Sequence, residues 1–440
     1  MKYLTPGLRV AIPAVIGTAL LTSMLGAPAE AATRSGQPQA TSTYPASRAP
    51  VRTLVSTDQA DARINTKLAK RIGDARFGSD FSVVVLDAAT QQVVFSRRGD
   101  AAMLSASNMK IITAVNTVAT VGPDTRFRTS VFAGANPGDI TIQGGGDPML
   151  TTADLKSLAK TTAASLDPDT PVVVSTDLNL FPAASLAPGW PRGYVPSSAS
   201  PVTALARLGD YSVNPTERAV SVFIAKLRSL GFATRRGTEV DVPASTTPIA
   251  GSSRHTAGDA IRLMLNVSEN NIAENLFRHV ALAAGLPATW RGARTAAEST
   301  LAALGIDTTG LALMDGSGLS RTNRVSALAL ANVVRLSTAG DKARFAVLYA
   351  RNSMPTSGTS GTLDDTFGRY TTNPSRCAQG VVRAKTGTLS DTIGLSGVTI
   401  GADGQKKVFS ILVNHRPQRF SALSIRQAAD GLAATITGCW

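Results

Sequence analysis

The sequence predicts an α+β protein in which an antiparallel sheet, flanked by helices, is built from both ends of the chain and interrupted by an inserted β-rich domain. Runs rich in β-branched residues occur at 81–96 and again at 381–414, as expected of paired strands. Between them the apolar residues mostly recur at helical spacing. Residues 129–215 differ, because glycine, proline, aspartate and threonine punctuate short β runs there. A chain of 440 residues is too long for one small core.

The individual elements follow from the same periodicities. Residues 81–86 and 92–96 form a predicted hairpin, because two β-rich runs flank a short polar turn. A helix begins at Ser107, and Gly122-Pro123 ends it. Further helices are predicted at 219–230, 256–265, 272–284, 293–304, 327–336 and 424–436, and further strands at 381–389, 394–400 and 407–414.

The first 31 residues predict a secretory signal peptide. Lys2 and Arg9 precede an apolar run, and a small-residue cleavage pattern follows at 27–31. An uncleaved membrane anchor stays open, although the run is short for a span of ~20 residues. Residues 32–56 have the composition of a flexible linker. The protein is therefore expected outside the cytoplasm, in the cell wall or periplasmic space.

The domain boundaries follow from these segments. The sheet-bearing domain is assigned to 57–128 and 216–440, and the inserted β-rich domain to 129–215. Hydrophobic content of 43% and charged content of 17% are ordinary for a globular protein.

The chain is basic, with a formal net charge of +14. Such a charge attracts anionic polymers of the cell envelope or lipid headgroups, and general surface charge without a specific partner is the interpretation that we favour. No basic run interleaved with aromatic residues indicates nucleic acid.

Cys377 and Cys439 are expected to form a disulfide in an exported protein, with two buried thiols as the alternative. The cysteines and histidines lack zinc spacing, and neither metal nor organic cofactor is predicted.

Three short motifs occur in one order: Ser107-Asn-Met-Lys110, Ser268-Glu-Asn270 and Lys385-Thr-Gly387. Residues i and i+3 share a face of a helix, so the first motif places a hydroxyl nucleophile beside an amine base. Lysine is a base only if burial or nearby positive charge, such as that of Lys385, lowers its pKa. Together the motifs predict acyl transfer through a serine.

The second motif supplies polar groups near this pair. Ser268 is predicted to relay a proton, and Asn270 to orient the Lys110 amine and a substrate amide. Copies of the first two patterns also occur at Ser157-Leu-Ala-Lys160 and Ser212-Val-Asn214. Order and setting therefore carry the assignment, because Ser107 opens an apolar helix after a hairpin.

The third motif is predicted to bind substrate. Lys385 and Thr386 would hold a substrate carboxylate, and Gly387 would leave room for substrate along the edge of the strand. The backbone amides of Ser107 and Thr388 are the candidates for an oxyanion hole.

Five stretches resemble low-molecular-mass class C penicillin-binding proteins, the D-alanyl-D-alanine carboxypeptidase/endopeptidase family: 105–114, 145–148, 266–274, 315–321 and 385–389. The resemblance covers 57–436 and implies a penicillin-binding transpeptidase/β-lactamase-like domain with a β-rich insertion after the first motif helix. It implies the motif functions given above. It adds Arg321, at a position that in some relatives contacts the free carboxylate of the stem-peptide side chain. A structural arginine is the alternative.

The resemblance implies a serine-type D-alanyl-D-alanine carboxypeptidase that acts on peptidoglycan stem peptides through an acyl-enzyme on Ser107 and is acylated by β-lactams. Whether it also cleaves crosslinks as an endopeptidase stays open. Glu269 stands where the family more often has aspartate or asparagine. The interval from Ser107 to Ser268 is shorter than in members with two nested insertions, so one insertion is expected.

Other classes of protein remain as alternatives. A class A-like β-lactamase needs a glutamate-activated water, for which no convincing residue is evident. A non-catalytic protein that binds cell wall or β-lactams would not need the nucleophile and base, both of which are present. A Ser-His-Asp hydrolase is disfavoured because no Gly-x-Ser-x-Gly motif occurs.

Overall fold

The structure, a computed structural model, describes residues 56–440. The signal peptide predicted at 1–31 and the linker predicted at 32–56 lie outside the described residues, except for Ser56. The Ser56 side chain accepts a hydrogen bond from the backbone of Gln59 and so begins the first helix.

The described chain contains ten α-helices and ten strands. The helices are α1 (Thr57–Arg71), α2 (Met109–Thr120), α3 (Thr152–Ala163), the short α4 (Tyr194–Ser197), α5 (Pro215–Ser229), α6 (Ala257–Val267), α7 (Asn270–Ala283), α8 (Trp290–Ala303), α9 (Ala327–Arg335) and α10 (Ala422–Thr437). The strands are β1 (Phe81–Asp87), β2 (Val93–Arg97), β3 (Thr129–Ala133), β4 (Asp139–Gln143), β5 (Val172–Asp177), β6 (Thr234–Glu239), β7 (Ala250–Ser252), β8 (Arg383–Thr388), β9 (Ile393–Ile400) and β10 (Lys406–Val413).

The first sheet has the order β2-β1-β10-β9-β8 and is antiparallel throughout. Its strands come from both ends of the described chain, which confirms the predicted α+β architecture. Successive side chains of a strand point to opposite faces. Val84 and Leu86 therefore pack with α2 and the helices of the chain's middle, whereas Val83 and Val85 pack with α1 and α10.

Helix α2 lies at the centre of the larger core and contacts α6, α7, α8 and α9. Its residues from Met109 to Val118 are buried, including polar ones. The Thr117 hydroxyl donates a hydrogen bond to the backbone oxygen of Thr113, one turn earlier.

Helix α1 was not predicted from the sequence. Its buried residues, Ala60, Ile64 and Leu68, nevertheless recur at every fourth position.

The second sheet has the order β6-β5-β4-β3-β7 and includes two parallel pairs, β4 with β5 and β5 with β6. Parallel neighbours need crossover connections, which α3 and α5 supply. The inserted module is thus a mixed α/β layer rather than only β-rich. Its two edge strands, Thr234–Glu239 and Ala250–Ser252, lie beyond the domain boundary predicted at 215. The sequence pattern does not reveal them, because the first strand is polar and the second is very short. We therefore propose that the module extends to about residue 252.

Cys377 and Cys439 are bonded in the structure, with their Cα atoms 6.1 Å apart. The bond links the second residue after α10 to the 3-10 turn Ser375–Ala378, which precedes β8. It therefore closes the C-terminus onto the segment that leads into the Lys385 strand, as the cysteine positions predict.

Candidate active site

Ser107 lies in a single 3-10 turn, Ala106–Asn108, that leads directly into α2. The helix thus begins two residues later than the sequence predicts. Ala106 has a φ of 44°, a left-handed conformation that is uncommon for alanine. Such backbone strain is tolerated where the surrounding structure holds the residue in place. The turn projects the Ser107 hydroxyl from the end of a buried helix.

Two glycines of the first sheet make room for this turn. Gly387 on β8 pairs with Gly394 on β9. A Cβ atom on Gly387 would lie 2.9 Å from the backbone oxygen of Ser105 and 3.2 Å from the Ser107 nitrogen. A Cβ atom on Gly394 would lie 2.1 Å from the side-chain amide of Asn108. The absence of side chains therefore lets the nucleophile turn pack against the sheet.

The Asn108 side chain is completely buried and fastens the turn to both strands. With its amide oriented so that both polar atoms are satisfied, the nitrogen donates to the backbone oxygen of Lys385 at 2.6 Å. The oxygen accepts from the backbone N–H of Leu395 at 3.2 Å. Asn108 and Gly394 were not singled out from the sequence, since no motif distinguishes them before the strand pairing is known.

The amine of Lys110 lies next to Ser107, one helical turn further along. Its Nζ atom is 2.9 Å from Ser107 Oγ, 2.7 Å from Asn270 Oδ1 and 2.8 Å from the backbone oxygen of Ser317. The amide and carbonyl oxygens only accept hydrogen bonds, so they take two N–H groups of the amine. A neutral Lys110 therefore presents its lone pair toward the Ser107 hydroxyl.

Burial lowers the pKa of Lys110 to about 8. The charges of Glu274, Asp315 and Glu269 act in the opposite direction and raise it. The sequence predicts that the charge of Lys385 contributes to this lowering, but burial of the Lys110 amine is the principal cause. A part of the Lys110 population is thus neutral near pH 7, as a general base requires.

Two buried carboxylates hold the loop that contacts Lys110. Glu274 on α7 accepts hydrogen bonds from the backbone N–H groups of Gly316 at 3.0 Å and Ser317 at 2.8 Å. Asp315 accepts from the indole of Trp190 at 2.7 Å and from backbone groups of its own loop. Burial, followed by the charge of Asp315, raises the pKa of Glu274 to about 8. These contacts fix the Ser317 oxygen against the Lys110 amine.

The Ser268-Glu-Asn270 motif lies at the junction of α6 and α7. Ser268 ends α6 with a φ of 64°, and Glu269 caps α7 by accepting from the backbone of Ile272. The Asn270 side chain accepts from Lys110 and donates to the backbone oxygen of Ser198 at 2.8 Å. The glutamate in the middle of the motif is therefore a helix cap, and its carboxylate also accepts from Tyr211.

Ser107 opens into a cavity of about 230 Å³. The residues that line it are Ser107, Ser268, Thr362, Phe367, Arg369, Thr386, Thr388 and Arg426. Four of the predicted site residues thus share one cavity, together with two arginines that carry no recognisable sequence motif. None of the described residues that line it bears a carboxylate.

Neither Lys385 nor Lys110 is among the described residues that line this cavity. The Lys385 side chain is completely buried, and its Nζ donates to the backbone oxygen of Thr386 at 3.0 Å. Burial lowers the pKa of Lys385 well below its usual value, and the charges of Lys110 and Arg369 lower it further. By contrast, the Thr386 hydroxyl lines the cavity and lies 2.7 Å from that of Thr362.

Arg321 forms a two-point ion pair with Asp391, in the turn between β8 and β9. Its two terminal nitrogens lie 2.8 and 2.6 Å from the two carboxylate oxygens. The side-chain hydrogen bond to Asp391 raises the pKa of Arg321. Arg321 is not among the described residues that line the Ser107 cavity. This geometry favours the structural alternative for Arg321.

The fold and the serine–lysine pair together define an active-serine enzyme of the penicillin-recognising type. The model of the D-Ala-D-Ala carboxypeptidase 3 (S13) family matches residues 64–206 and 192–436, so the chain belongs to that family. This finding confirms the family resemblance inferred from the motifs.

Individual relatives agree with the family match. The chain is 29% identical over 380 residues to a carboxypeptidase of Mycobacterium tuberculosis, covering 81% of this chain and 79% of the relative. It is 29% identical to a D-alanyl-D-alanine carboxypeptidase of an Actinomadura species, covering 77% and 78%. The crystal structure of penicillin binding protein 4 from Haemophilus influenzae superposes with a TM-score of 0.71 at 20% identity, covering 84% of this chain and 99% of that one.

Proposed function

We propose that this protein is a serine-type D-alanyl-D-alanine carboxypeptidase that acts on peptidoglycan stem peptides through an acyl-enzyme on Ser107. The observation that carries the proposal is the 2.9 Å contact between Lys110 Nζ and Ser107 Oγ at the wall of an open cavity. Family membership supports the same reaction.

Acylation follows from this geometry. The Ser107 proton passes to the lone pair of Lys110 as Oγ attacks the carbonyl carbon between the two terminal residues of the peptide. The backbone N–H groups of Ser107 and Thr388 are the candidates to bind the oxyanion. The proton then moves to the leaving amine, with Ser268 as the relay, and the C–N bond breaks. Water releases the shortened peptide from Ser107.

The cavity supports a long-lived β-lactam adduct rather than rapid turnover. A class A-like β-lactamase needs a carboxylate that activates a water beside the ester. Glu269 and Glu274, which lie near Lys110, instead accept hydrogen bonds from Tyr211 and from backbone groups. They are thus not positioned as the general base of deacylation.

We also propose that the protein is exported from the cytoplasm. The predicted signal peptide at 1–31 and the Cys377–Cys439 bond support an oxidising location outside the cytoplasm. No helix among residues 56–440 is long and apolar enough to cross a bilayer. Electrostatic attraction to an anionic envelope follows from the net charge of +14.

The decisive experiment is digestion of purified muropeptides with the wild-type protein and with Ser107→Ala. Loss of one terminal D-alanine from uncrosslinked pentapeptides, seen by mass spectrometry only with the wild type, is the expected result. Cleavage of crosslinked dimers in the same assay would add endopeptidase activity. No hydrolysis of either substrate, or equal hydrolysis by Ser107→Ala, would overturn the proposal.

A further inference from the structure

A second cavity lies against the first sheet, at the end of β8 and β9 that is remote from the Gly387–Gly394 pair. Its volume is about 400 Å³. It is lined by residues of β8, β9 and β10 and by residues of the segment 337–349, which follows α9. It shares no lining residue with the Ser107 cavity, so the proposed reaction does not account for it.

The strand pairing places two cations and two apolar side chains together in this cavity. Arg383 on β8 pairs with Val398 on β9, and Ile400 on β9 pairs with Lys406 on β10. Paired residues share a face of the sheet, as do residues two apart in one strand. The four side chains therefore lie on one face, with the apolar pair between the two cations. Ile400 is 39% exposed, so this apolar surface is open to a ligand.

Three cations line the cavity: Lys342, Arg383 and Lys406. None of the described lining residues bears a carboxylate. Lys406 Nζ donates to the backbone oxygen of Thr338 at 3.0 Å, and a terminal nitrogen of Arg383 donates to that of Ala350 at 3.2 Å. The Nε atom of Arg383 is buried without a hydrogen-bond partner. Neutral oxygen atoms do not cancel a full charge, so the cavity wall carries excess positive charge.

The other polar groups near these cations already have partners. The hydroxyl of Ser337 lies 3.2 Å from that of Tyr349. The Asp341 carboxylate, next to Lys342 in the chain, accepts from the backbone N–H of Arg344 and is not among the described lining residues. The cavity therefore offers a ligand positive charge and apolar surface together.

The size and charge of the cavity limit what it can hold. Ligand cavities in proteins have volumes of about 300–1,000 Å³. At about 30 Å³ for each water-sized group, this one has room for roughly 10–15 non-hydrogen atoms. A phosphate monoester carries about −1.5 to −2 charges at pH 7, and it therefore matches several cations better than a carboxylate does.

We propose that this cavity is a binding site for a phosphate monoester of a short alkyl chain. The three cations hold the phosphate, and the chain packs on the apolar side chains of β9. Val381, two residues before Arg383 and 36% exposed, extends the apolar surface. This site is separate from the proposed function and does not depend on it.

Isothermal titration of the wild-type protein with octyl phosphate, below the concentration at which it forms micelles, tests the site. 1-Octanol and inorganic phosphate supply the chain and the charged group separately. A hydrogen bond to a charged group contributes roughly 10- to 100-fold, so octanol should bind at least about tenfold more weakly than octyl phosphate. Inorganic phosphate should also bind at least about tenfold more weakly, because it buries no apolar surface. Equal binding of either part would overturn the proposal.

Substitution of the cations locates the site. Arg383→Gln and Lys406→Gln should each weaken the binding of octyl phosphate by about tenfold and leave that of octanol nearly unchanged. Lys342→Gln, at an exposed position, should weaken it about two- to fivefold and decides the matter if the strand variants do not fold. Lys156→Gln, exposed on α3, is the control and should bind like the wild type. Unchanged affinity in the folded cation variants overturns the site.

Vesicles distinguish a soluble ligand from a membrane lipid of the same chemistry. The protein is sedimented with vesicles of phosphatidylglycerol, and phosphatidylcholine vesicles are the control. If octyl phosphate binds, cosedimentation that Lys406→Gln abolishes supports the site with a lipid as the source of the ligand, and no cosedimentation supports it with a soluble monoester. Cosedimentation without binding of octyl phosphate would overturn the proposal in favour of a membrane-facing surface. No binding of octyl phosphate at millimolar concentration overturns it as well.

Discussion

Gly387 and Gly394 face each other across β8 and β9, and the turn that carries Ser107 fills the space their side chains would occupy. Gly387 of the third motif thus has a packing role that the sequence did not indicate. The lack of a side chain at Gly387 lets the turn that carries Ser107 approach the sheet, whereas the sequence predicts that this space is left for substrate. The position of Ser107 is therefore set by the sheet as well as by its own helix.

Gly394→Ala should displace the nucleophile turn. A Cβ atom 2.1 Å from the Asn108 amide cannot be accommodated without movement, and overpacking of this kind costs about 1–3 kcal/mol. We expect a lower free energy of unfolding in urea and slower acylation by labelled penicillin. Gly193→Ala is the matched control, because no atom of residues 56–440 lies within 4 Å of its Cβ position. Normal acylation of Gly394→Ala would show that the turn is not held in this way.

Ser107→Ala should abolish acylation by labelled penicillin, and Lys110→Ala should reduce it almost as much. Residues that act as one unit give non-additive losses, so the double variant should be no worse than Ser107→Ala alone. Ser157→Ala and Lys160→Ala are the controls, because this second copy of the pattern lies on an exposed face of α3. Near-normal acylation of Lys110→Ala would remove Lys110 as the base.

Acylation should become faster as the pH rises from 6 to 9. The neutral amine of Lys110 is the active form, and its pKa is lowered to about 8, so the midpoint should lie near that pH rather than near 10.5. Stopped-flow measurement of penicillin acylation across this range checks the prediction. A rate that does not change with pH would contradict it.

Glu274→Gln should move this midpoint to lower pH. The ionised form of Glu274, whose own pKa is raised to about 8, raises the pKa of Lys110, so removal of that carboxylate favours the neutral amine. The variant should also be less stable, by about 1–3 kcal/mol, since glutamine cannot accept both backbone hydrogen bonds. Glu239→Gln, at an exposed position, is the control. A midpoint that stays in place or rises would show that Glu274 does not act on Lys110.

Arg321→Ala and Asp391→Ala should have the same effect as each other. Because the two side chains form a two-point pair, loss of either should reduce stability by about 1 kcal/mol, and the double variant should add little. Urea unfolding and kcat/KM for the peptide are the measurements. A loss of kcat/KM seen only with Arg321→Ala would instead support the contact with a stem-peptide carboxylate.

Lys407→Met should destabilise the first sheet strongly. The completely buried amine lies 2.5 Å from Asp61, 2.8 Å from Asp87 and 3.0 Å from Asp403, and thereby joins α1 to β1 and β10. Removing it leaves carboxylates uncompensated in the interior, at a cost of about 3–5 kcal/mol. Lys156→Met, an exposed position on α3, is the control in the same urea titration. A change of less than 1 kcal/mol would show that this cluster adds little to stability.

The local sequence pattern was sufficient to predict most strands of the first sheet and most of the helices that flank it. The hairpin predicted at 81–96 is present as Phe81–Asp87 and Val93–Arg97, because alternation and a polar turn are local signals. The strands of the inserted module were harder to predict from the sequence. Its edge strands have few apolar side chains, and their membership of a sheet depends on partners that are distant in sequence.

The sequence by itself determined that an amine lies beside the Ser107 hydroxyl, because the spacing of three residues places Lys110 one turn further along wherever that segment lies. It also determined the family, since several ordered motifs specify it together. Only the tertiary structure decided what surrounds that chemistry. It buries Lys385 completely, pairs Arg321 with Asp391 and places Arg369 and Arg426 in the wall of the Ser107 cavity. Burial and charge compensation depend on which distant residues meet, and no local pattern contains that information.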